Sequence, residues 1–269
     1  MSLVKVVRVA VATVWSDPDA RTADTVVTQL LLGDPVVVDE VRGDWARVVA
    51  TGQPAPSLDP RGYPGWLPTG QLTDASTMDD GPSSVVDALA TGLRAAPGGA
   101  VVVPGVTLGT RLAPAGPPVG GWLPVRVAGH PDPFWVPDAD VRPVPAGPPS
   151  GEQALEVARR LLGVPYVWGG LTPAGIDCSG LVHLAWRRLG VRLPRDAHEQ
   201  AEATEPLPPG RERPGDLYFF ARPGHRIHHV GFVADSGRML HACGDARGVV
   251  EEGPTPGRVA TQSGARRVS

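Results

Sequence analysis

The sequence predicts a multidomain protein in which two small all-β barrels precede one α+β domain. Over residues 1–143, short apolar runs alternate with Gly- and Pro-containing turns, which is typical of small barrels or sandwiches. A Pro/Gly-rich linker follows at residues 143–149. Beyond it, two amphipathic helical patterns precede several strands, which is an α+β order. The predicted domains are therefore residues 1–78, 79–148 and 149–269.

Composition argues against several classes of function. The 269 residues carry a formal net charge of −3 and have a pI of about 6.2, so nothing favours binding of nucleic acid or of an anionic membrane. Two cysteines are too few for a disulfide scaffold, and no stretch approaches the ~18 apolar residues of a membrane span. The N-terminal segment alternates like a strand and does not resemble a signal peptide, which predicts a cytoplasmic protein. The sequence carries no signal for a particular oligomeric state.

Short strands are predicted throughout the first domain. Turns at residues 33–35 and 43–44 separate them, because Gly, Asp and Pro favour turn conformations. The apolar runs that indicate the strands lie at residues 4–7, 26–32, 36–41, 45–48 and 62–68.

The second domain loosely repeats the first. Residues 84–92 are predicted to form a short helical connector before its strands begin. The pair Trp45 and Trp66 of the first domain is matched by Trp122 and Trp135 of the second, and all four are expected to pack in a core. The repeat resembles a tandem of bacterial SH3-like domains.

Two helices are predicted at the start of the third domain. Ser150 and Gln153 match a capping box, and apolar residues follow at helical spacing as far as Gly163. A second amphipathic pattern begins directly after Cys178 and is closed by Gly190, which suits a C-terminal cap. Cys178 is therefore expected at a helix N-terminus, where the helix dipole favours the thiolate.

The dipole alone does not make this thiol a strong nucleophile. It supplies up to about 2 kcal/mol, which would lower a thiol pKa from ~8.5 to ~7, so a cationic partner is needed. His229 and His241 lie in two apolar strands joined by a turn at residues 235–237 and are expected to be neighbours across an antiparallel ladder. Cys178, His229 and His241 then form a nucleophile, a base and a group that orients the base.

Five motifs in this order resemble the NlpC/P60 family of papain-like cysteine peptidases, and the resemblance covers residues 151–269. The motifs are Pro165-Tyr166-Val167-Trp168-Gly169-Gly170, Asp177-Cys178-Ser179-Gly180, Pro214-Gly215-Asp216-Leu217, His229-Val230-Gly231 and Leu240-His241-Ala242. The resemblance implies a papain-like catalytic domain with Cys178 as nucleophile, His229 as base and His241 as the orienting residue. It implies no metal and no organic cofactor.

With SH3-like domains in front, the chain resembles peptidases that cut murein peptides between γ-D-glutamate and a diamino acid and that require a free N-terminal L-alanine. The matching residues are Tyr63 for an aromatic pocket wall and Tyr166, Asp177, Ser179 and Asp196 for the substrate amine. One departure is Ala197, which stands where similar enzymes often carry serine and weakens the expected recognition of the amine. A cytoplasmic enzyme of this kind is expected to recycle imported wall peptides. Its partner is a murein peptide, with no nucleic acid and no membrane.

Two alternatives remain open from the sequence. A tandem of SH3-like domains also suits a wall-peptide-binding protein whose peptidase domain is silent. The same catalytic fold also suits an amidase or an acyltransferase that acts on another amide bond. The presence of all three catalytic residue types favours hydrolysis over binding alone.

Overall fold

The computed structural model describes residues 3–75 and 84–269, and within them the fold is mostly β-sheet with few helices. The chain groups into two compact units: the first holds the residues up to 52 and residues 58–144, and the second holds residues 53–57 and 145–269. The predicted boundary between the first two domains falls outside the described residues. The division into three domains stays a prediction.

One seven-stranded antiparallel sheet forms the first half of the first unit. Its strands lie in the order β3-β2-β6-β5-β4-β1-β7. The strands are β1 (Leu3–Val7), β2 (Val11–Trp15), β3 (Val26–Leu31), β4 (Pro35–Arg42), β5 (Trp45–Ala50), β6 (Tyr63–Pro68) and β7 (Leu72–Asp74).

A second seven-stranded sheet follows with the same topology. Its order is β10-β9-β13-β12-β11-β8-β14, which matches the first sheet strand for strand. The loose repeat predicted from the sequence is therefore a repeat of topology, while the SH3-like identity of each sheet stays a prediction. The strands are β8 (Ser84–Val86), β9 (Ala90–Arg94), β10 (Val101–Thr107), β11 (Arg111–Pro114), β12 (Trp122–Arg126), β13 (Phe134–Pro137) and β14 (Val141–Pro143).

The helical connector predicted at residues 84–92 is wrong. This stretch contains β8 and the start of β9. Val85 and Val86 are fully buried on β8, which pairs with β11 and with β14. Valine is stiff at χ1 and packs well on a pleated surface, so its burial between two strands favours the extended backbone.

The tryptophans of the two sheets occupy equivalent positions. Trp45 lies opposite Pro68, and Trp122 lies opposite Pro137. All four tryptophans predicted to be core residues are only partly buried, so that expectation is wrong. They alternate along their strands with buried aliphatic residues such as Leu67, and those residues form the core.

The second unit has an α+β fold, as predicted. Helix α2 packs against α1 and against the sheet at β19 and β20, and the sheet order is β17-β22-β18-β19-β20-β21. Its elements are α1 (Gly151–Arg159), β15 (Leu171–Thr172), β16 (Gly175–Ile176), α2 (Cys178–Arg188), α3 (Ala197–Glu202), β17 (Glu205–Leu207), β18 (Leu217–Phe220), β19 (His229–Val233), β20 (Met239–Cys243), β21 (Gly248–Glu252), α4 (Pro256–Thr261) and β22 (Gln262–Arg267).

The helix ends follow the predicted signals. Ser150 Oγ accepts from the Gln153 amide at 3.2 Å, and Gln153 Oε1 accepts from the Ser150 amide at 2.8 Å, which confirms the capping box. Gly190, just after α2, has a φ of +90°, a backbone conformation that favours glycine. None of the helices in residues 3–75 and 84–269 combines the length and the apolar character that a membrane crossing requires.

Candidate active site

Cys178 is the first residue of α2, as predicted, and it is 7% exposed. Asp177 is the N-cap, and its side chain accepts from the Gly180 amide at 2.6 Å. Glycine is needed at position 180 because a Cβ there would lie 2.3 Å from the carbonyl oxygen of Gly170. The helix start therefore lies against the turn at residues 167–170, and this contact explains the glycine two residues after the cysteine.

His229 and His241 lie on the neighbouring strands β19 and β20, as predicted. The strands pair antiparallel through the turn at residues 235–237, with Phe232 opposite Leu240. His229 Nε2 lies 2.8 Å from His241 Nδ1, and the two rings meet edge-on at 82°. A Cβ on Gly231 would lie 2.7 Å from Met239 Cγ and 2.9 Å from His241 Cβ, so glycine leaves room on β19 for these side chains of β20.

Glu252 extends this pair and was not found from the sequence. It ends β21, and its Oε1 lies 3.2 Å from His241 Nε2. His241 is fully buried, whereas the Glu252 side chain is 40% exposed. A Glu-Glu pair at a strand end reads as solvated surface in the sequence, so only the pairing of β20 with β21 reveals this contact.

Burial favours the neutral forms of Cys178 and His229, whereas the sequence predicts a thiolate paired with a cationic histidine. It raises the pKa of the Cys178 thiol to about 12, and the Asp177 carboxylate raises it further. It lowers the pKa of His229 to about 2, and the positive charge of Arg258 adds to this. Burial therefore opposes the predicted thiolate, because desolvation favours the neutral thiol of Cys178 and the neutral imidazole of His229. The thiolate stays a prediction.

Asp177, one of the predicted amine-site residues, accepts several hydrogen bonds. Its Oδ2 accepts from the Gly169 amide at 2.9 Å and from Arg195 Nη2 at 2.8 Å. Its Oδ1 accepts from Arg195 Nη1 at 3.0 Å, from the Ser179 hydroxyl at 3.3 Å and from the helix amide described above. This bidentate Arg–carboxylate pair fixes Asp177 next to Cys178 at the start of α2.

Arg195 and Gln200 were missed by sequence reasoning. Arg195 is 1% exposed and also donates to the Ser179 hydroxyl at 3.0 Å and to the Gly170 carbonyl at 3.2 Å. The buried Gln200 donates through Nε2 to the Ser179 carbonyl at 3.0 Å and to the Pro194 carbonyl at 2.9 Å. Isolated Arg and Gln residues between polar neighbours suggest exposed positions, so their burial was not predictable.

The other predicted amine-site residues lie in both compact units. Tyr166 is half-buried; burial raises the pKa of its hydroxyl, and the Asp177 carboxylate raises it further. Asp196 is half-buried and precedes α3. Tyr63 belongs to the first unit, where it is buried on β6 opposite Ala50.

A segment between β5 and β6 belongs to the same compact unit as the cysteine. The Pro54 carbonyl accepts from the Arg195 amide at 3.1 Å. The Ser57 amide donates to Oε1 of Glu199 at 2.8 Å, and Glu199 is 1% exposed on α3. These two hydrogen bonds therefore connect the segment to the backbone of Arg195 and to the helix that carries Gln200.

His183 of α2 is a buried histidine outside the cysteine–histidine cluster. It is 1% exposed, and its Nδ1 donates to the Leu193 carbonyl at 2.8 Å. Burial lowers its pKa to about 3, so the folded chain holds it neutral. It ties α2 to the loop that leads to Arg195.

Acid is expected to destabilise the second unit through His183. In the unfolded chain its pKa is ~6.5, so between that pH and about 3 the unfolded state binds one more proton than the folded state. The free energy of unfolding is therefore highest above pH ~6.5 and falls by about 1.4 kcal/mol for each pH unit below it. His183→Asn keeps a donor for Leu193 without this titration. Between pH 7 and pH 5, denaturant unfolding of the unaltered chain is expected to lose about 2 kcal/mol more than the variant does.

The matched control for this measurement is the exposed His225. His225→Asn is expected to leave the difference in unfolding free energy between pH 7 and pH 5 unchanged. A His183→Asn chain that loses as much stability on acidification as the unaltered chain contradicts the prediction.

Comparisons with known proteins agree on one family. Residues 163–261 match the model of the NlpC/P60 family. A gamma-D-glutamyl-L-lysine dipeptidyl-peptidase of Bacillus subtilis is 32% identical over 223 residues, which are 82% of this chain and 73% of that protein. A protein of the same name from Bacillus cereus is 30% identical over 257 residues, covering 91% of this chain and 76% of its own. The crystal structure of an NlpC/P60 family protein from Bacillus cereus superposes with a TM-score of 0.85 at 26% identity, over 98% of this chain and 99% of that one.

Proposed function

The chain belongs to the NlpC/P60 family of cysteine hydrolases, and from that premise we propose that it cleaves murein peptides between γ-D-glutamate and the following diamino acid. The substrate carries L-alanine with a free amine at its N-terminus. The observation that carries the proposal is the cysteine at the start of α2, a helix that packs against the two strands bearing the His229–His241 pair. Peptide hydrolysis by a thiol requires this set of groups.

The chemical step begins from the neutral pair. As the Cys178 sulfur attacks the γ-carbonyl carbon, its proton passes to His229, a sulfur–carbon bond forms, and the carbonyl electron pair becomes an oxyanion. Hydrogen bonds from the backbone of Val230 and Ser179 and the charge of Arg195 favour the developing thiolate. The backbone N–H of Cys178, at the positive end of α2, stabilises the oxyanion.

The second half of the reaction releases both products. The oxyanion collapses, the carbon–nitrogen bond breaks, and the proton on His229 passes to the leaving amine. Water then attacks the thioester with His229 again as base, which frees the γ-carboxylate and restores the thiol. His241 holds the ring of His229 in place through both steps.

The names of two relatives support the substrate class. Both are gamma-D-glutamyl-L-lysine dipeptidyl-peptidases, so the γ-D-glutamyl bond and L-lysine belong to the substrates of those proteins. For this chain we assign the free amine to Tyr166, Asp177, Ser179 and Asp196. Asp177 and Asp196 supply the negative charge, and both oxygens of Asp177 also accept from Arg195. Tyr63 stays the proposed aromatic wall.

Acetylation of the substrate amine is expected to slow cleavage. The tripeptide L-Ala-γ-D-Glu-L-Lys should be hydrolysed with a kcat/KM about 100-fold higher than its Nα-acetyl form, because acetylation removes the charge that Asp196 binds. Mass spectrometry of the products reads both the rate and the bond that is cut. Asp196→Asn should lower kcat/KM for the free peptide. The ratio of kcat/KM between the free and the Nα-acetyl peptide should then be smaller than in the unaltered chain.

The tripeptide acetylated only on its lysine side chain is the matched control, since it carries the same modification away from the N-terminus. Equal cleavage of the Nα-acetyl and free peptides contradicts the amine site. Absence of cleavage of the free tripeptide at the γ-D-glutamyl bond contradicts the substrate assignment. The role in recycling and the cytoplasmic location remain predictions from the sequence.

A further inference from the structure

Three side chains on three consecutive strands form an unbroken row of hydrogen bonds. His229 of β19 contacts His241 of β20 through Nε2 and Nδ1 at 2.8 Å. His241 contacts Glu252 of β21 through Nε2 and Oε1 at 3.2 Å. The row starts on β19, against which α2 packs, and ends at a carboxylate that is partly open to solvent.

The donors and acceptors in this row are determined by its last member. A carboxylate only accepts, so Nε2 of His241 must carry a hydrogen. In a neutral imidazole the other nitrogen then has a lone pair, so Nδ1 of His241 accepts. Nε2 of His229 must therefore donate, and the lone pair of His229 is left on Nδ1.

The surroundings favour the neutral form of both rings, and only a neutral ring has one nitrogen that donates and one that accepts. Burial lowers the pKa of His229 and of His241. The other charged or titratable groups that act on the rings are Arg258 of α4, His228 next to β19, and Glu252 itself. Arg258 and His228 oppose a second proton on the rings, and Glu252 alone favours charge on His241.

We propose that Glu252 is a positioning residue that sets the tautomer of both histidines and so makes Nδ1 of His229 the basic atom of the site. The inference rests on the proposed function, because it assigns a role to a residue behind the proposed base. With the opposite tautomers, His241 would donate from Nδ1, and the lone pair of His229 would be held by that hydrogen bond. His229 would then have a hydrogen on Nδ1 and could not take a proton from Cys178 through that atom.

The carboxylate also acts after the proton has moved. When His229 becomes an imidazolium, its Nε2–H still needs an acceptor, and His241 stays one only while its own hydrogen is held at Nε2. Glu252 thus keeps the row in one orientation before and after the transfer. The residue lies behind the histidines and acts through them, so it should affect turnover more than substrate binding.

Kinetics of three variants test this role with the tripeptide substrate. Glu252→Leu is expected to lower kcat by about 10- to 100-fold, the usual effect of losing a residue that orients a functional group, with KM changed less than about 2-fold. Glu252→Gln keeps an oxygen that can accept from His241 Nε2 and should retain most of the turnover. Glu251→Leu is the matched control, since Glu251 precedes it on β21 and pairs with Arg159 instead. This control should keep kcat within about 2-fold.

A spectroscopic measurement reads the tautomers without any substrate. In the Cys178→Ala chain, nitrogen-15 NMR should show both histidines neutral with hydrogen on Nε2, and Glu252→Leu in that chain should bring in the Nδ1-protonated form. This readout stands even where the unaltered chain fails to cut the tripeptide, so failure of the proposed function is distinguishable from failure of this inference. Hydrogen on Nδ1 of either ring while Glu252 is present overturns it. A Glu252→Leu kcat within 2-fold of the unaltered chain, or an equal loss in Glu251→Leu, also overturns it.

Discussion

Cys178→Ala is expected to lower kcat for the tripeptide by roughly four to six orders of magnitude. Alanine keeps the helix start, because the N-cap interactions come from Asp177 and not from the thiol. It removes the sulfur that forms the covalent intermediate of the proposed mechanism. Turnover measured by product release, together with an unchanged thermal unfolding midpoint, would assign the loss to chemistry.

The second cysteine gives a matched control. Cys243 is 4% exposed at the end of β20, and the Arg258 guanidinium lies 3.6 Å from its sulfur. Cys243→Ala removes a buried thiol of the same size without touching the helix start, and kcat should stay within about 3-fold. Residual hydrolysis by Cys178→Ala at more than about one per cent of the normal rate contradicts the nucleophile assignment.

Arg195→Met is expected to destabilise the second unit by about 3–5 kcal/mol, because it leaves a buried carboxylate without its counter-charge. Asp177 would keep its amide and hydroxyl donors but lose both guanidinium contacts. For a unit of this size such a loss lowers the unfolding midpoint by about 10 °C. The turn at residues 167–170 and the start of α2 would also lose their common anchor, so activity should fall with stability.

Two further variants test whether the unpaired carboxylate of Asp177 causes the loss of stability in Arg195→Met. Adding Asp177→Asn to Arg195→Met removes the uncompensated charge while asparagine still caps the helix, and it should recover at least half of the lost stability. Arg61 pairs with Asp39 and Asp59 in an exposed network, so Arg61→Met should cost less than about 1 kcal/mol. An Arg195→Met chain no less stable than Arg61→Met would show that the buried pair contributes nothing.

Local signals in the sequence predicted the frame of the site well. The capping pattern at Ser150, the position of Cys178 before an amphipathic run, and the turn between the two histidine strands are short-range features, and the structure confirms each. Such features depend on a few neighbouring residues and on backbone preferences, which a sequence displays directly.

The supporting residues and the charge states depended on tertiary burial and were not predictable. Arg195 and Glu252 act through contacts made across loops and strands, and neither has a local pattern. Burial opposes the expected thiolate of Cys178 for the same reason, because it arises only when the chain folds and raises the pKa of the thiol. The helix predicted at residues 84–92 is absent because β8 pairs with β11 and β14, and these pairings join residues distant in sequence.

The segment that carries Pro54 and Ser57 has a consequence for how this gene can be rearranged. The unit that holds Cys178 is discontinuous in sequence, since five of its residues come from between two strands of the first sheet. A chain cut within the Pro/Gly linker would leave the Arg195 amide and the buried Glu199 carboxylate without their partners from that segment. The linker is therefore not a clean boundary between independent parts. Recombination at this point would transfer the second unit without residues 53–57, which belong to it.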